Sequence, residues 1–144
     1  MAVSWSIDMT YKFQTIPKEE MLQFKEKLMI FFGQFRYKED YSSAIDNSAF
    51  ICVCFDGEKI VGASRVVSDL SRFAFIVDLN VNENYQKQGI GKQILENMVQ
   101  ACLDANIRYI ELSTDPSSPW LEDFYTKIGF IKVEGSALME WPRR

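Results

Sequence analysis

Two glycines one residue apart stand in the run Gln86-Lys87-Gln88-Gly89-Ile90-Gly91-Lys92, where an apolar stretch gives way to a helical pattern. Glycine lets an anionic group come close to the main chain because no Cβ stands in the way. The first N–H groups of a helix have no intrahelical partner, and the helix dipole favours negative charge at that end. A phosphate-bearing ligand is the natural occupant of such a turn. A two-glycine turn that merely caps a core helix is the plainer reading of the same residues. Spacing excludes two common phosphate loops. A Walker A loop would need glycine at Gln86 and a hydroxyl at Gln93. A dinucleotide fingerprint would need a small residue at Ile94.

The elements that must position this loop can be read from periodicity. Phe73 to Val81 is an apolar, strand-like run that leads into the loop. Ile90, Ile94, Leu95, Met98, Cys102 and Ala105 recur at helical spacing beyond it. Upstream, residues 5–15 alternate weakly and predict a first strand from Trp5 to Phe13. Thr15-Ile16-Pro17 reads as a helix start, with Pro17 in the first turn and Gly33 as a stop. Phe35 to Ile45 predicts a second, shorter helix through Tyr37, Tyr41 and Ala44. Residues 49–55 predict a buried strand, Asp56-Gly57-Glu58-Lys59 a hairpin turn, and Ile60 to Val67 the returning strand. After the glycine loop and its helix come a strand over Ile107 to Ser113 and a polar loop. A short helix, Trp120 to Ile128, stops at Gly129. Phe130–Glu134 and Ala137–Trp141 can pair as a final hairpin. No repeat or linker interrupts the pattern, which describes a single domain over residues 1–144 with a mixed α/β sheet and helices on both faces.

Composition narrows the chemistry. The 144 residues include no histidine, which removes the commonest general base, the usual metal ligand and every Ser-His or Cys-His pair. The three cysteines lack zinc spacing and read as core thiols of a reducing, cytoplasmic setting. A net charge of -4 argues against bulk nucleic-acid binding and suits cationic partners. No apolar run approaches the roughly 20 residues that cross a bilayer, and no signal-peptide pattern opens the chain, so no membrane partner is expected.

A second motif, Phe124-Tyr125-Thr126-Lys127-Ile128-Gly129-Phe130, lies at the end of the last predicted helix. Phe124 and Ile128 are one turn apart and can pack inward, Gly129 ends the helix, and Phe130 opens the next strand. An ordinary helix C-terminus with a half-buried tyrosine would look the same. Taken with Gln86-x-x-Gly89-x-Gly91, Val61-Gly62 and Asp78-Leu79-x-Val81, it resembles the GNAT superfamily of acetyl-CoA-dependent N-acetyltransferases, over roughly residues 49–141. The resemblance implies a GNAT-like acyl-CoA N-acyltransferase fold: a single mixed, mostly antiparallel central sheet, flanked by helices, with a splayed central strand pair. It implies acetyl-CoA as co-substrate and no metal. Leu79, Asn80 and Val81 would run beside the pantetheine arm, with Leu79 and Val81 offering backbone groups. Gln86, Lys87, Gln88, Gly89, Ile90, Gly91 and Lys92 would hold the pyrophosphate. Ser118 stands where many members carry an asparagine that touches the cofactor, and its hydroxyl is shorter. Tyr125 would lie near the thioester sulfur and protonate the departing CoA thiolate.

The reaction so implied is direct attack by a primary amine within a ternary complex. An amine of pKa near 10.4 is neutral in only about one molecule in 10³ at pH 7, so a proton must leave. Asp78, on the central strand, is the first candidate to accept it, alone or with a water relay. Glu111 and Asp115 are alternatives, and a solvent-facing or salt-bridged carboxylate is the plainer reading of all three. Arg36, Tyr37, Tyr41 and Arg65 are candidates for an acceptor pocket, against core or surface readings. The acceptor itself, a small-molecule or peptide amine, has no signature here. Homodimers, common in the superfamily, are neither required nor excluded. The rival function is a non-catalytic acyl-CoA-binding sensor of the same fold.

Overall fold

The computed structural model describes residues 10–35 and 39–142. They fall into two compact units divided after Glu111. In the first unit a five-stranded sheet runs in chain order: β1 Tyr11–Pro17, β2 Phe50–Asp56, β3 Lys59–Ser68, β4 Phe73–Val81 and β5 Tyr109–Glu111. The first four strands are antiparallel neighbours, and β5 joins β4 in parallel. The helices are α1 Met21–Gly33, α2 Ser42–Asp46 and α3 Ile90–Asp104.

Side chains alternate across a strand, so β2 serves two cores at once. Ile51, Val53 and Phe55 join Ile16, Ala63 and the buried face of α1 (Met21, Leu28, Phe31, Phe32), together with Tyr41 and Ile45. Cys52 and Cys54 are buried on the opposite side, where α3 packs against β2, β3 and β4. There Gly62 of β3 is a close-approach point. A Cβ on it would stand 2.9 Å from Ile94 Cδ1 and 3.1 Å from Ile90 Cγ2. Its lack of a side chain lets the start of α3 lie tight on the sheet, which fixes the glycine loop against the end of β4.

The pairing of β4 with β5 stops early. Only Phe73↔Tyr109, Ala74↔Ile110 and Phe75↔Glu111 are matched, while β4 continues to Val81. β4 therefore continues past the end of β5, and its far end has no partner strand on that side among the described residues.

The second unit contains α4, Pro119–Ile128, with proline at its first position and Gly129 at φ +128° beyond its end. Tyr125 O accepts the N–H groups of both Gly129 and Phe130 at 3.2 and 3.1 Å, closing the helix.

Several predicted boundaries move. Trp5 to Met9 lie outside the described residues, and the first strand extends to Pro17 because Thr15 and Ile16 pair with Cys52 and Ile51. Pro17 thus ends a strand, and a single 3₁₀ turn over Lys18–Glu20 precedes α1. The second helix shrinks to Ser42–Asp46, started by Asp40 Oδ1, which accepts the Ser42 N–H at 2.9 Å. The strand predicted over Ile107 to Ser113 is only Tyr109–Glu111. The final hairpin is absent: residues 130–142 form no strand, although Gly135 turns at φ +76°. Ile131, Val133, Leu138, Met139 and Trp141 are exposed, and a two-stranded ribbon without a covered face has little to hold it.

Candidate active site

β4 ends in a set of main-chain groups with a defined direction. Asn82 N–H donates to Val61 O at 2.8 Å, so this residue faces β3. Alternation along an antiparallel ladder then turns the N–H and C=O groups of Leu79 and Val81 to the other side, beyond the last β4–β5 pair, Phe75↔Glu111. Val81 O accepts Gln86 Nε2 there at 2.9 Å, tying the loop back to the strand. Leu79, Asn80 and Val81 are all half-buried.

Beyond Val81 the chain makes one 3₁₀ turn, Glu83–Tyr85, and then the loop Gln86 to Gly89. Lys87 (φ +63°) and Gly89 (φ +88°) both adopt the left-handed conformation. Gly89 is the residue immediately before α3, and its carbonyl takes the helix's first bond, from Gln93 N–H at 3.1 Å. The N–H groups of Ile90, Gly91 and Lys92 precede that bond and have no intrahelical acceptor. Ile90 is buried and anchors the turn; Lys87, Gln88 and Lys92 are exposed. Such a terminus, with two lysines beside it, suits a pyrophosphate.

The loop is braced by residues that carry no sequence motif. Tyr11 OH donates to Gln88 Oε1 at 3.0 Å, and Tyr85 OH to Asp56 Oδ2 at 2.6 Å. That bond to the Asp56 carboxylate raises the pKa of the Tyr85 phenol. The Tyr11 and Tyr85 rings meet edge to face at 5.9 Å. The tyrosines are visible in the sequence, but their convergence depends on β1 lying beside the β2–β3 hairpin.

Asp78 departs from regular strand geometry. It has φ +56°, and the β3–β4 register shifts beside it. Its Oδ2 accepts Arg65 Nε at 2.9 Å, so of its two expected states it is the salt-bridged one. Tyr41 is a core residue stacked on Phe32 at 5.3 Å, whereas Arg36 and Tyr37 lie outside the described residues. Glu111 is exposed at the end of β5.

In the second unit, Tyr125 is half-buried between Phe124 and Phe130, whose ring centroids lie at 5.4 and 6.2 Å. Burial raises its phenol above the ordinary value, so it stays protonated at neutral pH. Ser118 caps α4 with its main chain: its carbonyl accepts Leu121 N–H at 2.9 Å. Asp115 is exposed and receives the hydroxyl and N–H of Ser117 at 2.7 and 2.9 Å, which hold its carboxyl below the usual range. Among the described residues no group of three His, Cys, Asp or Glu side chains could hold a metal ion, and no helix is long and apolar enough to cross a membrane.

An open mixed sheet whose β4 runs past its β5 partner into a glycine-bearing helix start is the fold class that the motifs imply. Residues 10–130 match the model of the Acetyltransferase (GNAT) family, and the chain belongs to that family. It is similar to GCN5-related N-acetyltransferase 2, chloroplastic, of Arabidopsis thaliana, with 38% identity over 60% of this chain and 34% of that one. An uncharacterized N-acetyltransferase of Pyropia yezoensis is 32% identical over 68% of this chain and 58% of its own length. The chain thus spans less than two thirds of either relative. Among solved structures, an aminoglycoside acetyltransferase from an uncultured soil metagenomic sample, in complex with sisomicin, shares the fold. Its TM-score is 0.72 at 21% identity, covering 96% of this chain and 100% of that one.

Proposed function

We propose that this protein transfers the acetyl group of acetyl-CoA to a primary amine. The observation that carries the reading is the free edge of β4, whose Leu79 and Val81 main-chain groups lead directly into the unpaired N–H groups of α3. A pantetheine arm can add to that edge like a strand while its pyrophosphate reaches Gln86 to Lys92. The family model runs across the division after Glu111, which supports one functional domain over residues 1–144. The free thiols Cys52, Cys54 and Cys102 fit a cytoplasmic setting.

In the proposed reaction the neutral amine attacks the thioester carbon. An N–C bond forms, charge collects on the carbonyl oxygen, and collapse breaks the C–S bond. The amine proton goes to Asp78, directly or through a water, on the carboxylate oxygen that Arg65 does not hold. Tyr125, kept protonated by burial, gives its proton to the CoA thiolate. The family resemblance assigns Ser118 a contact with the cofactor, through its main chain or hydroxyl. Glu111 and Asp115 fit the base role less well, because both are exposed, whereas Asp78 is half-buried on β4.

The acceptor is a small-molecule or peptide amine, and cationic compounds suit the net charge of -4. The test is release of free CoA thiol from acetyl-CoA with an aminoglycoside, a polyamine, an amino-acid amide and a lysine peptide. Acceptor-dependent release supports the reading. Saturable acetyl-CoA binding without release on any amine would favour the non-catalytic sensor.

A further inference from the structure

We infer that Arg65 is the positioning residue of the transfer site: it clamps the left-handed turn of β4 at Asp78 to α2, and so sets where the free edge of β4 meets the thioester. The inference rests on the acetyltransferase reading for its chemical consequence, though not for its geometry. Arg65 lies on β3 with its side chain 12% exposed, and that of Asp78 is 19% exposed. Its guanidinium makes three bonds, one to β4 and two to α2 and the residues just after it. Nε donates to Asp78 Oδ2 at 2.9 Å. Nη1 donates to Ser48 Oγ at 3.0 Å and to Ala44 O at 3.2 Å. Ser48 is fully buried, and its hydroxyl donates to the same Ala44 carbonyl at 2.8 Å.

The clamp holds a strained point. Arg65 faces Val77 across the ladder, but Ala63 faces Asn80, so Ser64 alone spans Asp78 and Leu79. Ser64 is itself buried, and its hydroxyl donates to Val77 O at 2.9 Å. The extra residue on β4 is accommodated by Asp78 at φ +56°. A non-glycine residue in that conformation is strained and persists only where its surroundings over-determine it. Leu79 and Val81, which follow the turn directly, are the residues whose main-chain groups face the free edge. A change of a few tenths of an ångström at Asp78 is passed to them directly. Lysine could supply the charge but not the planar fork that reaches a carboxylate and two α2-side acceptors together. The contrast within the molecule is Lys25–Asp46, at 2.7 Å, where the aspartate side chain is 52% exposed and no bulge is involved. That pair is an ordinary surface ion pair.

The test uses the full chain with Arg65→Met, Arg65→Lys and Ser48→Ala. Amide hydrogen exchange is followed throughout, acetyl-CoA affinity by calorimetry, and kcat and KM with the amine that gives the most CoA release. The clamp predicts faster exchange confined to residues 42–48 and 76–81 in Arg65→Met. It predicts a fall in kcat of about tenfold or more with near-unchanged acetyl-CoA affinity, and partial recovery in Arg65→Lys. Local exchange and kcat equal to wild type would overturn it. So would a uniform loss of stability with kcat unchanged for the folded fraction. If Arg65→Met fails to fold, Ser48→Ala decides: a lower kcat with local loosening supports the clamp, and wild-type values of both contradict it. Wild-type protein that neither binds acetyl-CoA nor releases CoA would remove the acetyltransferase reading, while the exchange pattern would still decide the clamp.

Discussion

Removing the phenolic oxygen of Tyr125 takes away a proton donor and leaves the ring between Phe124 and Phe130. Tyr125→Phe should therefore keep acetyl-CoA affinity while kcat falls roughly tenfold or more, as measured by CoA release. An unchanged rate would take Tyr125 out of the mechanism. A β-branched side chain at Gly91 would crowd the helix start, so Gly91→Val should weaken acetyl-CoA binding in calorimetry without removing the fold. These residues were legible in the sequence because each motif is contiguous: Gln86 to Gly91 and Phe124 to Phe130 carry their own context. The Arg65–Asp78 pair was not. Its partners come from strands whose register slips between them, and a one-residue bulge has no signature in either strand alone. Tyr11, Ser48, Asp56 and Tyr85 escaped notice for the same reason, since each acts through an element distant in the chain.

At the scale of elements, the contact of α3 with β3 turns on a missing side chain. Gly62→Ala would press a methyl against Ile94 Cδ1, which can rotate, and Ile90 Cγ2, which has less freedom. The expected cost is about 1–3 kcal/mol in denaturant unfolding, together with weaker acetyl-CoA binding, because Ile90 anchors the loop. The same interface carries a pH signature. Burial raises Cys52 and Cys102 from 9.0 to about 11 and Cys54 to about 12. The native state thus keeps thiol protons that the unfolded chain gives up. Their contribution is fully present below pH 9 and is lost as pH rises through the folded values. The unfolding midpoint should fall as pH rises from about 9 toward the folded values, and Cys102→Ala should fall less steeply than wild type over the same interval. Strands β2 to β4 and helix α3 were legible because their runs are long and strongly patterned; β4 runs from Phe73 to Val81, the bounds that the apolar run predicts. The first strand was misplaced because a weak alternation lost to pairing with β2, which draws Ile16 and Pro17 into the ladder. The last hairpin was overread: turn residues were present, but nothing in the chain alone says whether a ribbon will find a face to cover it.

For the whole molecule, the family pattern reaches from residue 10 to residue 130, and the fold resembles that of a solved aminoglycoside acetyltransferase over most of the chain. What neither supplies is the amine. The acceptor must be read by side chains that no motif announces, and an excess of negative charge selects cations only as a class. The cofactor is tested directly by thermal unfolding with acetyl-CoA against ATP and NAD. At about 100 times its dissociation constant a ligand stabilises the native state by roughly 2.7 kcal/mol, which is a rise of several degrees for a chain of this size. The account predicts that rise with acetyl-CoA and none of comparable size with ATP or NAD. No shift, or an equal shift with ATP, would contradict it and reduce the glycine loop to a general anion site.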